Sequence, residues 1–280
     1  MVVSIASRNV LVLVASNPDN KPLRTPKKAL RTGAFFVSVF WLFAAQAVWA
    51  QCPLLPGGFH AEVVHVYDGD TLQLRQGQRV RLIGIDTPEI GRDGRPDQPG
   101  AREAARWLEQ RVKGQKVYLL PGKDPEDRYG RLLAHLYWQG ELVSEQMVRQ
   151  GLGFALAVGA NTRLEGCLFR AEAAPRAAGM GVWQHAPRPA AEIESSGFAV
   201  TQGRVSRITS ARTGQYIDLD DHLALLVSDT LAARLKWLRV GERVEARGWV
   251  IDRLQRSRKL SPGQQRWLIR ISTEHHLSPY

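Results

Sequence analysis

AEVVHVYDGDTLQLRQGQRVRLIGIDTPE, residues 61–89, is the stretch that decides the fold. Its first seven residues, 61–67, are rich in β-branched and aromatic side chains, and DGDT then supplies turn residues. LQLR (72–75) alternates, QGQ turns, and VRLIGI (80–85) reads as a third strand, so the segment is a meander of three antiparallel strands. Downstream, IGRDGRPDQPG (90–100) is a polar, Gly/Pro-rich surface loop. Ala101, Ala104, Ala105, Leu108 and Val112 then fall at helix-face spacing. KVYLL (116–120) and LLAHLYW (132–138) read as two more strands. A second helix covers about 142–150 and stops at Gly151, and a third starts near Arg163 with Leu164, Leu168 and Ala171 on one face. Five strands and three helices over 59–185 predict a small barrel of the OB type.

Residues 186–196, APRPAAEIESS, read as a linker to a second β-rich unit at 197–275. Strands are expected at 199–208, 215–220, 223–228, 243–251 and 266–271, with a helix at 229–238 capped by Asp229. Three strands, a helix and two strands follow the OB order, so this unit is read as an OB-like nucleic-acid-binding domain. The overall class is therefore mainly β with α.

Composition narrows the function. The 280 residues carry 38 Lys/Arg against 27 Asp/Glu, and 44% are hydrophobic, a globular balance. Two cysteines exclude a disulfide-rich scaffold and a cysteine-rich zinc module. The apolar stretch 34–50 follows a basic flank and ends in Val48 and Ala50, small residues suited to signal-peptidase cleavage. Residues 1–50 are thus expected to be a signal peptide, with a secreted or periplasmic product. An uncleaved membrane anchor is the alternative, and the segment also allows a transient membrane contact. Beyond residue 50 the net charge is +6, and residues 197–275 alone carry +6. Arg204, Arg207, Arg212, Arg253, Arg256, Arg258 and Lys259 contribute to that charge, either as a phosphate-binding patch or as a solvated basic face. Cys52 and Cys167 either pair in an oxidising compartment or remain one buried and one mobile thiol. His275 and His276 read as a solvated tail, and Trp237, Trp249 and Trp267 as core residues.

Asp68, Asp70, Asp86 and Glu89 crowd two turns at one end of the meander. Clustered carboxylates repel unless a cation neutralises them, and a hard divalent metal on Asp70 and Asp86 would do so. The same aspartates also suit turns in which they cap backbone amides. Arg81 and Arg131 add planar forks for phosphate oxygens. Metal, cationic donors and a group to manage water are the needs of phosphodiester hydrolysis.

VYDGDTLQL (66–74), VRLIGIDTPE (80–89), DRYGRLLAHLY (127–137) and VRQGL (148–152) together resemble the staphylococcal nuclease (thermonuclease) family, in order and spacing across residues 61–183. The resemblance implies a calcium-dependent nuclease acting on DNA and/or RNA, with no protein partner inferred. It implies Asp70 and Asp86 as calcium ligands through their carboxylates, Thr87 as a ligand through its carbonyl, and Asp68 behind them. Glu89 is implied as the group that orients or deprotonates water, Arg81 and Arg131 as the phosphate-binding catalytic arginines, and Arg128 and Tyr129 as contacts to a terminal phosphate. One position departs: Ala157 stands where the family has a tyrosine that packs against the nucleotide. The rival class is a nuclease fold acting mainly as a nucleic-acid-binding module through its C-terminal unit. Such a scaffold would be expected to lose the acidic and arginine residues, and all of them are present here.

Overall fold

The computed structural model describes residues 51–255 and 259–280. The proposed signal segment, and Arg256 and Arg258 of the basic group, lie outside the described residues. Among those described, no helix is long and apolar enough to cross a membrane.

β1 (Phe59–Val66), β2 (Thr71–Leu74) and β3 (Arg79–Leu82) form the antiparallel meander. Ala61, Val63 and Val66 of β1 turn inward, with a register shift between Val63 and His65. After the short β4 (Ile85–Asp86) comes α1 (Ala101–Val112), which buries Ala104, Leu108 and Val112 as their spacing requires. β5 (Lys116–Glu126) pairs antiparallel with β1 and with β6 (Leu132–Trp138). Parallel pairing of β6 with β3 closes a five-stranded barrel. β7 (Glu141–Leu142), α2 (Val143–Arg149), β8 (Phe154–Ala155) and α3 (Glu165–Ala177) complete this unit.

The third strand ends earlier than its apolar run suggests. VRLIGI breaks after Leu82, because Gly84 takes a left-handed turn (φ +87°) under α3, where a Cβ would sit 2.2 Å from Leu168 Cδ1. The turn releases Ile85 and Asp86 to pair with Phe154 and Ala155 instead.

The second unit is also a closed barrel. β9 (Arg188–Pro189) leads into the long β10 (Gly197–Ala211), β11 (Gly214–Leu219) and β12 (Leu223–Val227). α4 (Asp229–Ala232), β13 (Arg243–Asp252), β14 (Trp267–Ile271) and β15 (Leu277–Pro279) follow. Antiparallel β10–β13 and parallel β12–β14 pairings close five strands. Here the structure corrects five expectations. The helix spans 229–232 rather than 229–238, and Ser228 caps it, its Oγ accepting the Leu231 N–H at 3.3 Å. Residues 186–196 are not a free tether: Arg188 and Pro189 pair parallel to Thr201 and Gln202, and Ala190 and Ile193 are buried in the second core. His276 is buried, not a solvated tail. Trp267 is core and Trp237 packs against it, but Trp249 is 43% exposed.

Cys52 and Cys167 are joined as a disulfide across a separation of 115 residues, pinning the lead-in to α3. The Cys52 N–H donates to Glu145 Oε2 at 2.7 Å, fixing the same segment to α2. Cross-linking so long a loop restricts the unfolded chain strongly. Replacing Cys52 by serine is expected to cost about 2–5 kcal/mol of stability. Chemical denaturation with and without reductant checks this: reductant should lower the wild-type midpoint and leave the variant unmoved.

Candidate active site

The two acidic turns meet where the meander approaches α1. Gly69 in the first turn is wedged so closely that a Cβ would lie 2.7 Å from both Ala104 Cβ and Thr87 Oγ1, so the turn admits no side chain there. This packing sets Asp70 against Thr87, whose N–H and hydroxyl both donate to Asp70 Oδ2 at 3.0 Å. Thr71 Oγ1 donates to Asp70 Oδ1 at 3.0 Å, and Asp68 Oδ1 accepts the Asp70 N–H at 3.1 Å. Asp86 arrives through β4, the strand freed by the Gly84 turn.

Arg81 forks between the two aspartates. Its guanidinium lies 3.0 Å from Asp70 Oδ2 and 2.8 Å from Asp86 Oδ1, and it donates to the carbonyls of Leu82 and Ile85 at 3.0 and 2.8 Å. All three side chains are largely buried. Burial pushes the Asp86 carboxyl up to about 8; Arg81 pulls against it, while Asp70, Glu89 and Asp68 add to the rise. Burial and the Asp70 charge push Asp68 up to about 7. Arg81 alone bridges Asp70 and Asp86, so with both carboxylates ionised that pair carries a surplus negative charge. An all-oxygen donor set with that surplus is matched by a hard divalent cation, and Asp70, Asp86 and the backbone at Thr87 are the residues able to hold one. Cys52, Glu145 and Cys167 also lie close together, but the disulfide and the Cys52 amide account for them.

Glu89 and Arg131 border a cleft of about 1430 Å³ that Arg81 and Asp86 also line. Glu89 is exposed, and its backbone is pinned by Gln98, which accepts the Glu89 N–H at 2.9 Å and returns its own N–H to the Glu89 carbonyl at 3.0 Å. Desolvation and the Asp70 charge raise the Glu89 carboxyl above its usual range, against the pull of Arg81, Arg92 and Arg131. Arg131 is held by Asp127, which accepts its Nε–H at 2.7 Å and its backbone N–H at 3.0 Å. Burial acts against ionisation of Asp127, but these bonds hold its carboxyl below the usual range. Arg128 donates to the Tyr129 hydroxyl at 2.6 Å, and the exposed Tyr129 ring lies under both Arg128 and Arg131 at the cleft edge.

All eight residues singled out from the sequence thus occupy one neighbourhood. Asp127 and Arg92 were missed. Asp127 lies in the DRYGR turn four residues before Arg131, where it forms an ion pair that no helical periodicity announced. Arg92 reaches 3.7 Å from Asp68 out of the 90–100 loop, whose irregular sequence carries no periodic signal. Ala157 is wholly buried: its N–H donates to His276 Nε2 at 3.1 Å and its carbonyl accepts from Ser272 Oγ at 3.3 Å. That position faces the second barrel, not the cleft.

A family model for staphylococcal nuclease homologues matches residues 79–185. The thermonuclease of Staphylococcus intermedius is 30% identical over 125 residues, covering 44% of this chain and 74% of that protein. The chain belongs to the staphylococcal nuclease family. An uncharacterised protein of Bacillus anthracis is 36% identical over 127 residues, 44% of this chain and 59% of that protein. A probable endonuclease of Komagataella phaffii is 40% identical over 77 residues, 26% of this chain and 33% of its own length. In this member of the staphylococcal nuclease family the matched residues 79–185 fall within the first unit. The second barrel lies beyond the region that the family model matches.

Proposed function

We propose that this chain is a calcium-dependent phosphodiesterase hydrolysing DNA and/or RNA, working outside the cytoplasm as a secreted or periplasmic protein. The observation that carries the reading is the Arg81 fork between Asp70 and Asp86, on a cleft that also takes in Glu89 and Arg131. Calcium on Asp70, Asp86 and the Thr87 carbonyl would neutralise phosphate charge. Glu89 accepts the proton of the attacking water. Arg81 and Arg131 donate to phosphate oxygens as charge builds on them, each fixed beforehand by its carboxylate partners so that little reorganisation is needed. Arg128 and Tyr129, at the cleft edge, would contact a terminal phosphate. The Cys52–Cys167 bond suits an oxidising compartment and so supports the location. A membrane-anchored form is the alternative location.

Hydrolysis of DNA and of RNA, first with calcium and then with excess chelator, tests the reading. Asp70→Asn is expected to raise the calcium concentration needed for half-maximal rate by at least about tenfold, by removing one carboxylate charge from the donor set. Magnesium should substitute poorly, because it demands a tighter octahedral shell. Full activity in chelator would remove calcium from the reading.

A further inference from the structure

The second barrel forms part of the catalytic cleft. Ser196, Gly197, Trp249 and Gln255 line it together with Arg81 and Glu89. Along β13 the residues from Val244 to Val250 are buried with one exception, and that exception is the largest side chain among them, Trp249. Its exposure does not come from a loose attachment. Phe198, its cross-strand partner in the β10–β13 ladder, meets the indole edge-on at 5.5 Å. Phe198 packs at 5.9 Å on Phe154, which meets Trp183 edge-on at 5.0 Å. An aromatic ladder thus runs from the end of the nuclease unit to the cleft and braces the indole from behind. Gly248 precedes it in a positive-φ conformation (φ +152°), with a Cβ there only 2.8 Å from Ile269 Cγ2, so the backbone that presents Trp249 lies hard against β14.

A large aromatic surface held rigid against an arginine-lined groove is the arrangement that receives unpaired bases while cations follow the phosphates. We propose that Trp249 is a base-stacking platform for a single-stranded nucleic acid laid across the catalytic cleft. This rests on the phosphodiesterase reading of that cleft and assigns the second barrel a direct place in it. Duplex DNA keeps its bases stacked internally and offers no free face to the indole, so the platform favours single strands or frayed ends.

The test uses the full chain in chelator. Fluorescence anisotropy compares a labelled thymidine 12-mer with a 12-mer of abasic units carrying the same phosphates. Wild type should bind the thymidine strand about 5- to 100-fold more tightly than the abasic strand. Trp249→Ala should bring the two affinities together, and Trp249→Phe should keep most of the difference. No preference in wild type, an undiminished preference in Trp249→Ala, or equal losses in the alanine and phenylalanine variants would overturn the proposal. Hydrolysis of the thymidine strand with calcium is measured in parallel. A preference that depends on Trp249 without hydrolysis would leave stacking and remove the phosphodiesterase reading; hydrolysis with a Trp249-independent preference would do the reverse.

Discussion

Replacing Glu89 by glutamine is expected to lower turnover by about 10²–10⁴-fold, the usual worth of a positioned general base. Arg131→Ala should cost a similar factor, because in the proposed mechanism it removes a donor to charge that develops only in the transition state. Neither side chain is part of the hydrophobic core, so thermal unfolding of both variants should track wild type. Glu89 is exposed at the cleft and Arg131 is bonded mainly to Asp127. Steady-state kinetics on DNA with saturating calcium reads the effect, and an unimpaired rate in either variant removes that residue from the chemistry. Asp127→Asn should give a smaller loss, since it loosens Arg131 without deleting it.

The second large effect lies at the seam between the barrels. Arg247 is 3% exposed and donates to Glu172 Oε2 at 2.8 Å, to Glu245 Oε1 at 3.1 Å and to the Ala155 carbonyl at 3.1 Å. Glu245 also accepts from Arg176 at 2.7 Å, and Glu172 accepts the Ala155 N–H at 2.7 Å. The guanidinium sits over Phe169 and Trp183, at 5.0 and 5.6 Å from their ring centres. Truncating Arg247 to alanine strands buried carboxylates and should cost about 3–5 kcal/mol. Burial raises the Glu172 carboxyl even with Arg247 present. Without the arginine it rises further, so stability is full below the carboxyl's ordinary unfolded pKa and is lost as pH climbs from there through the raised folded value. The deficit of Arg247→Ala should therefore shrink on acidification. Urea denaturation at neutral and acid pH checks both; a loss below about 1 kcal/mol would mean that the barrels do not depend on this pairing.

What the sequence disclosed and what it withheld divide on physical lines. The DGDT and IDTPE turns, the α1 face and the order of the barrel strands are local patterns, readable because alternation and helical spacing leave their mark in short windows. The end of β3 was not readable, since Gly84 is demanded by Leu168, a residue 84 positions away. Trp249 looked like core because an apolar strand pattern says nothing about which face meets a shared cleft. His276 looked like a loose tail, although Ala157 and Phe169 enclose it. Residues 186–196 had the composition of a tether, but Ala190 and Ile193 find a core that lies later in the chain. Arg247 and Glu172 gave no sign of each other for the same reason. Interactions across the seam have no sequence window in which to appear.

The bond between Cys52 and Cys167 has a consequence for the order of events during synthesis. A chain made or exported from its N-terminus presents Cys52 first, and its partner emerges 115 residues later, after every strand of the first barrel. The thiol at residue 52 must stay unpaired for that whole interval. Its capture closes a barrel whose strands are already available, and the remaining hundred or so residues supply the second half of the cleft. The bond therefore closes a loop that holds the whole first barrel and none of the second, and the two halves of the cleft stand on opposite sides of that closure along the chain.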